Sequence, residues 1–109
     1  MTQSPRIRIR MPDRVAPAQV FTIRALIAHP METGLRIDRH GRAVPRRIIN
    51  RFTCALDDQT IIDIEIQPAI SADPYFEFDA KADQSGRCDF AWYDDNGQVY
   101  RASRDIRVE

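Results

Sequence analysis

GRCDFAWYDDNGQVYRA, residues 86–102, carries the clearest folding signal in the chain. Apolar side chains fall at every second position, so Cys88, Phe90 and Trp92 share one face of a strand. Asn96-Gly97 can take the positive φ angles of a two-residue turn, so the chain doubles back as a β-hairpin. The same period runs outward from this hairpin. RDIRVE at the C-terminal side puts Ile106 and Val108 inward, and PYFEFDAKA does so with Phe76, Phe78 and Ala80. QTIIDIEIQP turns Ile62, Ile64 and Ile66 in, and IINRFTCAL turns in Phe52, Cys54 and Leu56, with Asp57-Asp58 as a tight turn between the two. Further upstream, VFTIRALIAH sets Phe21, Ile23, Ala25 and Ile27 on one face. PRIRIRMP sets Ile7, Ile9 and Met11 against Arg6, Arg8 and Arg10.

About seven short strands, no helix and one inward Trp predict an all-β protein. The expected form is an antiparallel β-sandwich of immunoglobulin-like type. Cys54 and Cys88 fall on the third and sixth predicted strands, neighbours in one sheet, whereas the immunoglobulin bridge joins the second and sixth. Whether the two pair is open at this level, because a disulfide depends on a Cα separation that sequence does not give.

The 109 residues make one domain, 1–109, with residues 1–5 expected to be disordered and 31–47 a long Arg-rich loop or hairpin. Hydrophobic residues are 43% and charged residues 29%, the balance of a globular domain. Formal net charge is zero, so any basic function is local. Lys81 is the only lysine, and the other cations are arginines. No apolar run reaches the roughly 18 residues of a membrane-spanning helix, and the N-terminus lacks the apolar core of a signal peptide. That reads as cytoplasmic, and it also fits a mature chain or a protein exported while bound to a partner that carries the signal.

The stretch His29–Cys54 concentrates the chemistry, with both histidines and six arginines. His29, Met31 and His40 are residue types that copper accepts, but their spacing is poor for a metal site. Cys54 follows the arginines, as a nucleophile would, yet its parity with Phe52 and Leu56 places it in the core, as Cys88 is placed beside Phe90. Asp57-Asp58 and Asp94-Asp95 sit at turns, where acids bond their own backbone. No phosphate loop, nucleophile elbow or dinucleotide fingerprint occurs, and aromatic and basic residues are segregated, which disfavours nucleic acid. No catalytic, metal or cofactor set emerges. The candidate partner-interaction surface is Arg46, Arg47, Asn50, Arg51, Tyr75 and Tyr93, of the types that dominate binding hot spots.

HPMETGLR, AVPRRIINRFTC, PAISADPYFEFDAKA and FAWYDDNGQVY closely resemble the SoxZ family, from about Arg6 to the C-terminus. The resemblance implies an immunoglobulin-like sandwich without cofactor or catalytic residue. Such a subunit forms a heterodimer with SoxY in the sulfur-carrier complex of bacterial thiosulfate oxidation. In that family SoxY holds the sulfur substrate on a C-terminal tail cysteine, in a Gly-Gly-Cys-Gly-Gly-like motif. The pair docks transiently with the pathway's cytochrome, hydrolase and sulfur dehydrogenase. SoxY also carries the export signal, which implies a periplasmic location. Cys54 matches the cysteine of the family's RFTC block, which is not the carrier residue, and Cys88 matches no family role. Two other readings stand beside this one: a periplasmic copper-binding sandwich using His29, Met31 and His40, and a thiol enzyme using Cys54.

Overall fold

A computed structural model describes residues 6–29, 31–32, 34–66 and 74–109. Among them there are eight strands and no helix. In chain order these are β1 (Ile7–Arg10), β2 (Arg14–Val15), β3 (Val20–Ile27), β4 (Ile49–Leu56), β5 (Gln59–Glu65), β6 (Tyr75–Lys81), β7 (Gly86–Asp94) and β8 (Val99–Val108). They form a three-stranded sheet, β1-β3-β6, and a five-stranded sheet, β2-β8-β7-β4-β5.

The period-2 pattern accounts for most of this. In β3, Phe21, Ile23, Ala25 and Ile27 are buried and the residues between them face out. In β7, Cys88, Phe90 and Trp92 are buried, as the alternation requires. Phe52 of β4 joins the sheets. Its ring stacks on Phe76 of β6 at 4.7 Å between centroids and lies 5.0 Å from Trp92. Burial of such a ring contributes roughly 1.5–3 kcal/mol.

Two details depart from expectation. RDIRVE runs on from QVYRA as the end of β8, but there is an additional strand, the two-residue β2, which pairs parallel to β8. Two residues carry no readable period, which is why β2 is invisible in the sequence. The hairpin after β7 is wider than a two-residue turn. Tyr93 opposes Val99, the Asp94 amide donates to the Gln98 carbonyl, and only Gly97 in the loop has positive φ, at 80°. The Asp94 carboxylate draws the loop round by accepting the Asn96 and Gln98 amides at 2.9 and 3.0 Å. The two-residue form instead occurs after β4, where Asp57 and Asp58 have φ of 47° and 68°.

The segment 31–47 carries two isolated antiparallel bridges, Glu32–Arg47 and Ile37–Ala43, with its turn at Asp38–Gly41. It is an irregular hairpin, largely exposed beyond its foot. Residues 1–5, with their expected disorder, lie outside the described residues.

Candidate interaction surface

The foot of the 31–47 hairpin is held by the turn between β7 and β8. The ladder between β4 and β7 breaks between Ile49 and Arg51, so Ile48 and Ile49 are both buried and Asn50 is the extra residue. This bulge brings three neighbours onto Asp95. Arg46 Nε donates to its Oδ2 at 2.9 Å, the Ile48 amide to the same oxygen at 3.3 Å, and Asn50 Nδ2 to Oδ1 at 3.3 Å.

Arg47 points the other way, toward Asp94, whose side chain is fully buried. Arg47 Nε lies 3.6 Å from Asp94 Oδ2, and its Nη2 donates to Tyr100 Oη at 2.8 Å. Tyr100 Oη in turn donates to Asp94 Oδ2 at 2.8 Å. Burial pushes the Asp94 carboxyl up. The hydrogen bonds from Tyr100, Gln98 and Asn96, with the Arg47 charge, outweigh it, and the net pKa is lowered. Burial and the Asp94 hydrogen bond raise Tyr100, while the bond to Tyr100 raises Arg47.

Arg51 and Tyr93 meet on the outer face of the five-stranded sheet. The guanidinium lies 5.1 Å from the Tyr93 ring centroid and forms a two-point bridge to Asp63 of β5 at 2.8 and 2.6 Å. That bridge holds Asp63 below the usual carboxylate range. Tyr75 lies apart, on β6 of the other sheet, beside Arg8, Arg10, Arg24 and Leu26. The structure therefore gathers five of the six candidate residues around the β4–β7 pair of the larger sheet and leaves Tyr75 on the other sheet.

Sequence reasoning missed Asp94, Asp95 and Tyr100, which organise these arginines. Asp94 does bond its own backbone as turn acids do, but Asp95 serves a segment distant in sequence. No local signal marks such a pairing.

Both cysteines are free and wholly buried. Cys54 stands opposite Phe90 and Cys88 opposite Leu56, so the thiols are diagonal neighbours rather than a facing pair. Diagonal positions lie roughly 7–8 Å apart, beyond the usual Cα span of a disulfide. Burial pushes the Cys54 thiol up to about 12 and Cys88 up to about 11.

His29 is buried, and its Nδ1 accepts the Met31 amide at 3.0 Å. Met31 Sδ accepts the Ile49 amide at 3.2 Å. Both heteroatoms face backbone donors at the foot of the hairpin, whereas His40 is exposed at its turn. The structure does not bring these three together.

A model of the family described as "Sulphur oxidation protein SoxZ" matches residues 8–105. The chain belongs to the SoxZ family. Its place is thus in the Sox sulfur-oxidation system. None of the curated proteins compared with the chain matches it. Among solved structures it is similar to a superoxide reductase (neelaredoxin) from Ignicoccus hospitalis. The TM-score is 0.69 at 18% identity, with 98% of this chain and 81% of that one covered. It is also similar to the sulfur carrier protein SoxY from Chlorobium limicola f thiosulfatophilum. There the TM-score is 0.67 at 12% identity, with 94% and 78% covered. A putative superoxide reductase from Thermotoga maritima gives 0.72 at 16%, with 97% and 86% covered. At these identities the likeness is one of fold, and it is that of an immunoglobulin-like β-sandwich.

Proposed function

We propose that this chain is the non-catalytic subunit of a sulfur-carrier heterodimer with SoxY, whose tail cysteine holds the cargo. The observation that carries the reading lies in the thiols. A carrier thiol must ionise and reach the active sites of other enzymes. Cys54 and Cys88 do neither, being wholly buried with raised pKa. Covalent attachment of sulfur therefore belongs to a partner, and a protein of this family has SoxY as its expected one. The same burial argues against a thiol enzyme built on Cys54.

In this reading the chain supplies a rigid body beside a mobile arm, and the tether raises the local concentration of the cargo at each enzyme. Arg46, Arg47, Asn50, Arg51 and Tyr93 are proposed as part of the contact surface, with Tyr75 as a separate point. The cytochrome, hydrolase and sulfur dehydrogenase of the pathway are the proposed transient partners. The proposed location is the periplasm, reached by export with signal-bearing SoxY.

Native mass spectrometry of the protein, purified from its own host without reductant, tests this. The expected result is a heterodimer whose second subunit carries sulfur or sulfonate adducts on a C-terminal cysteine. A monomer with an adduct on Cys54 would overturn it.

A further inference from the structure

The arginines of the hairpin foot are largely committed to carboxylates of their own chain, whereas on the outer face of the smaller sheet Arg24 is and Arg8 and Arg10 are not. On the outer face of β1-β3-β6, register sets Arg8 beside Leu26 and Leu26 beside Tyr75. One step along, Arg10 stands directly opposite Arg24, which stands opposite Glu77. Arg24 is bridged to Glu77 at 2.7 Å, but Arg8 and Arg10 have no carboxylate partner among the described residues. Like charges set directly opposite across strands are destabilising. The fold carries this repulsion in a protein of zero formal charge. Glu77 offsets only the Arg24 side of this pair, and a local rule left partly uncompensated is commonly a mark of function. The three arginines, Leu26 and Tyr75 line one hollow of about 220 Å³, and Tyr75 is 54% exposed.

We infer that this face docks an acidic protein surface: carboxylates over Arg8 and Arg10, and an apolar side chain against Leu26 and Tyr75. Charge complementarity selects the occupant. Arg and Tyr together form the usual hot-spot pair, and the guanidinium fork matches carboxylates. A face so charged suits a transient, salt-sensitive encounter better than a permanent subunit interface, whose centre is more apolar. That the occupant is a visiting enzyme rather than the permanent subunit rests on the carrier reading above.

The test is an amide NMR titration of the full chain, in the heterodimer that it forms with SoxY, using an end-blocked hexaglutamate peptide as probe. Saturable shifts are expected in residues 7–10, 24–27 and 75–77. Arg8→Glu/Arg10→Glu should weaken binding about tenfold, because two charge contacts are lost and reversed. Arg39→Glu/Arg42→Glu, at the exposed hairpin turn, should leave it unchanged. Shifts spread equally over the hairpin turn would overturn the inference. So would their reproduction by sodium sulfate at matched ionic strength, which would indicate a small-anion site instead. Protection of this face by SoxY itself would overturn it too, by making it part of the permanent interface. Should no heterodimer form, the carrier reading fails, and the same titration on the chain alone still decides the surface.

Discussion

Arg47 and Asp94 meet at the foot of the long hairpin, with Nε 3.6 Å from Oδ2 and Tyr100 bridging them through its hydroxyl. The pair fixes an exposed arm to the sandwich through a carboxylate that has no exposed side-chain surface. A buried charge with its partners in place is tolerated, and the same charge without them is costly.

Asp94→Asn therefore weakens the fold, by about 2 kcal/mol near neutral pH, the order expected for lost hydrogen bonds to a charged group. Urea unfolding measures it. The folded pKa of Asp94 is lowered, so its contribution is present above the usual carboxylate value near ~4 and is lost as pH falls through the folded pKa. The gap between wild type and Asp94→Asn should close as the solution is acidified. A gap that does not depend on pH would remove the charge from the explanation.

Cys54 and Cys88 should resist iodoacetamide in the folded protein at pH 8 and react at once in denaturant. Their folded pKa values, about 12 and about 11, are raised. The stability that goes with neutral thiols is thus complete below the unfolded value near ~8.5, and it declines as pH rises beyond that toward the folded values. Mass analysis after timed alkylation reads the first point, and unfolding curves between mild and strong alkali read the second.

Phe52→Ala removes the ring that contacts Phe76 of the opposite sheet and Trp92 of its own. The expected loss is about 3–5 kcal/mol, the range for deleting a buried aromatic ring. Differential scanning calorimetry checks it, with Phe52→Leu expected to recover much of the loss by refilling the space.

Gly97→Ala isolates a purely conformational cost. A Cβ there meets nothing within 4 Å, but φ is +80°. The variant should lose about 1 kcal/mol in urea unfolding, with no change in structure elsewhere. A larger loss would mean that the β7–β8 turn no longer positions Asp94 and Asp95 under the arginines.

Arg51→Glu breaks the bridge to Asp63 and sets two carboxylates face to face on an exposed edge. Under the carrier reading, turnover of the reconstituted pathway falls several-fold while the heterodimer survives. Steady-state rates and size-exclusion profiles separate the two effects, and an unchanged rate would remove Arg51 from the contact surface.

The information readable in the chain alone is local. Alternation with period two is written residue by residue, so the seven longer strands, their inward faces and the core places of Phe52, Cys54, Cys88 and Trp92 are legible without coordinates. The long blocks around RFTC and PYFEFDAK likewise carry the family. Register, by contrast, exists only once the strands are assembled. The bulge at Asn50, the parallel pairing of β2 with β8, the Asp95 clamp on Arg46 and the opposition of Arg10 to Arg24 all join residues distant in the chain. A one-residue slip would change every one of these pairs. A composition rich in arginine announces charge, but only cross-strand placement says which guanidinium groups are paired with carboxylates of the fold and which have no such partner among the described residues.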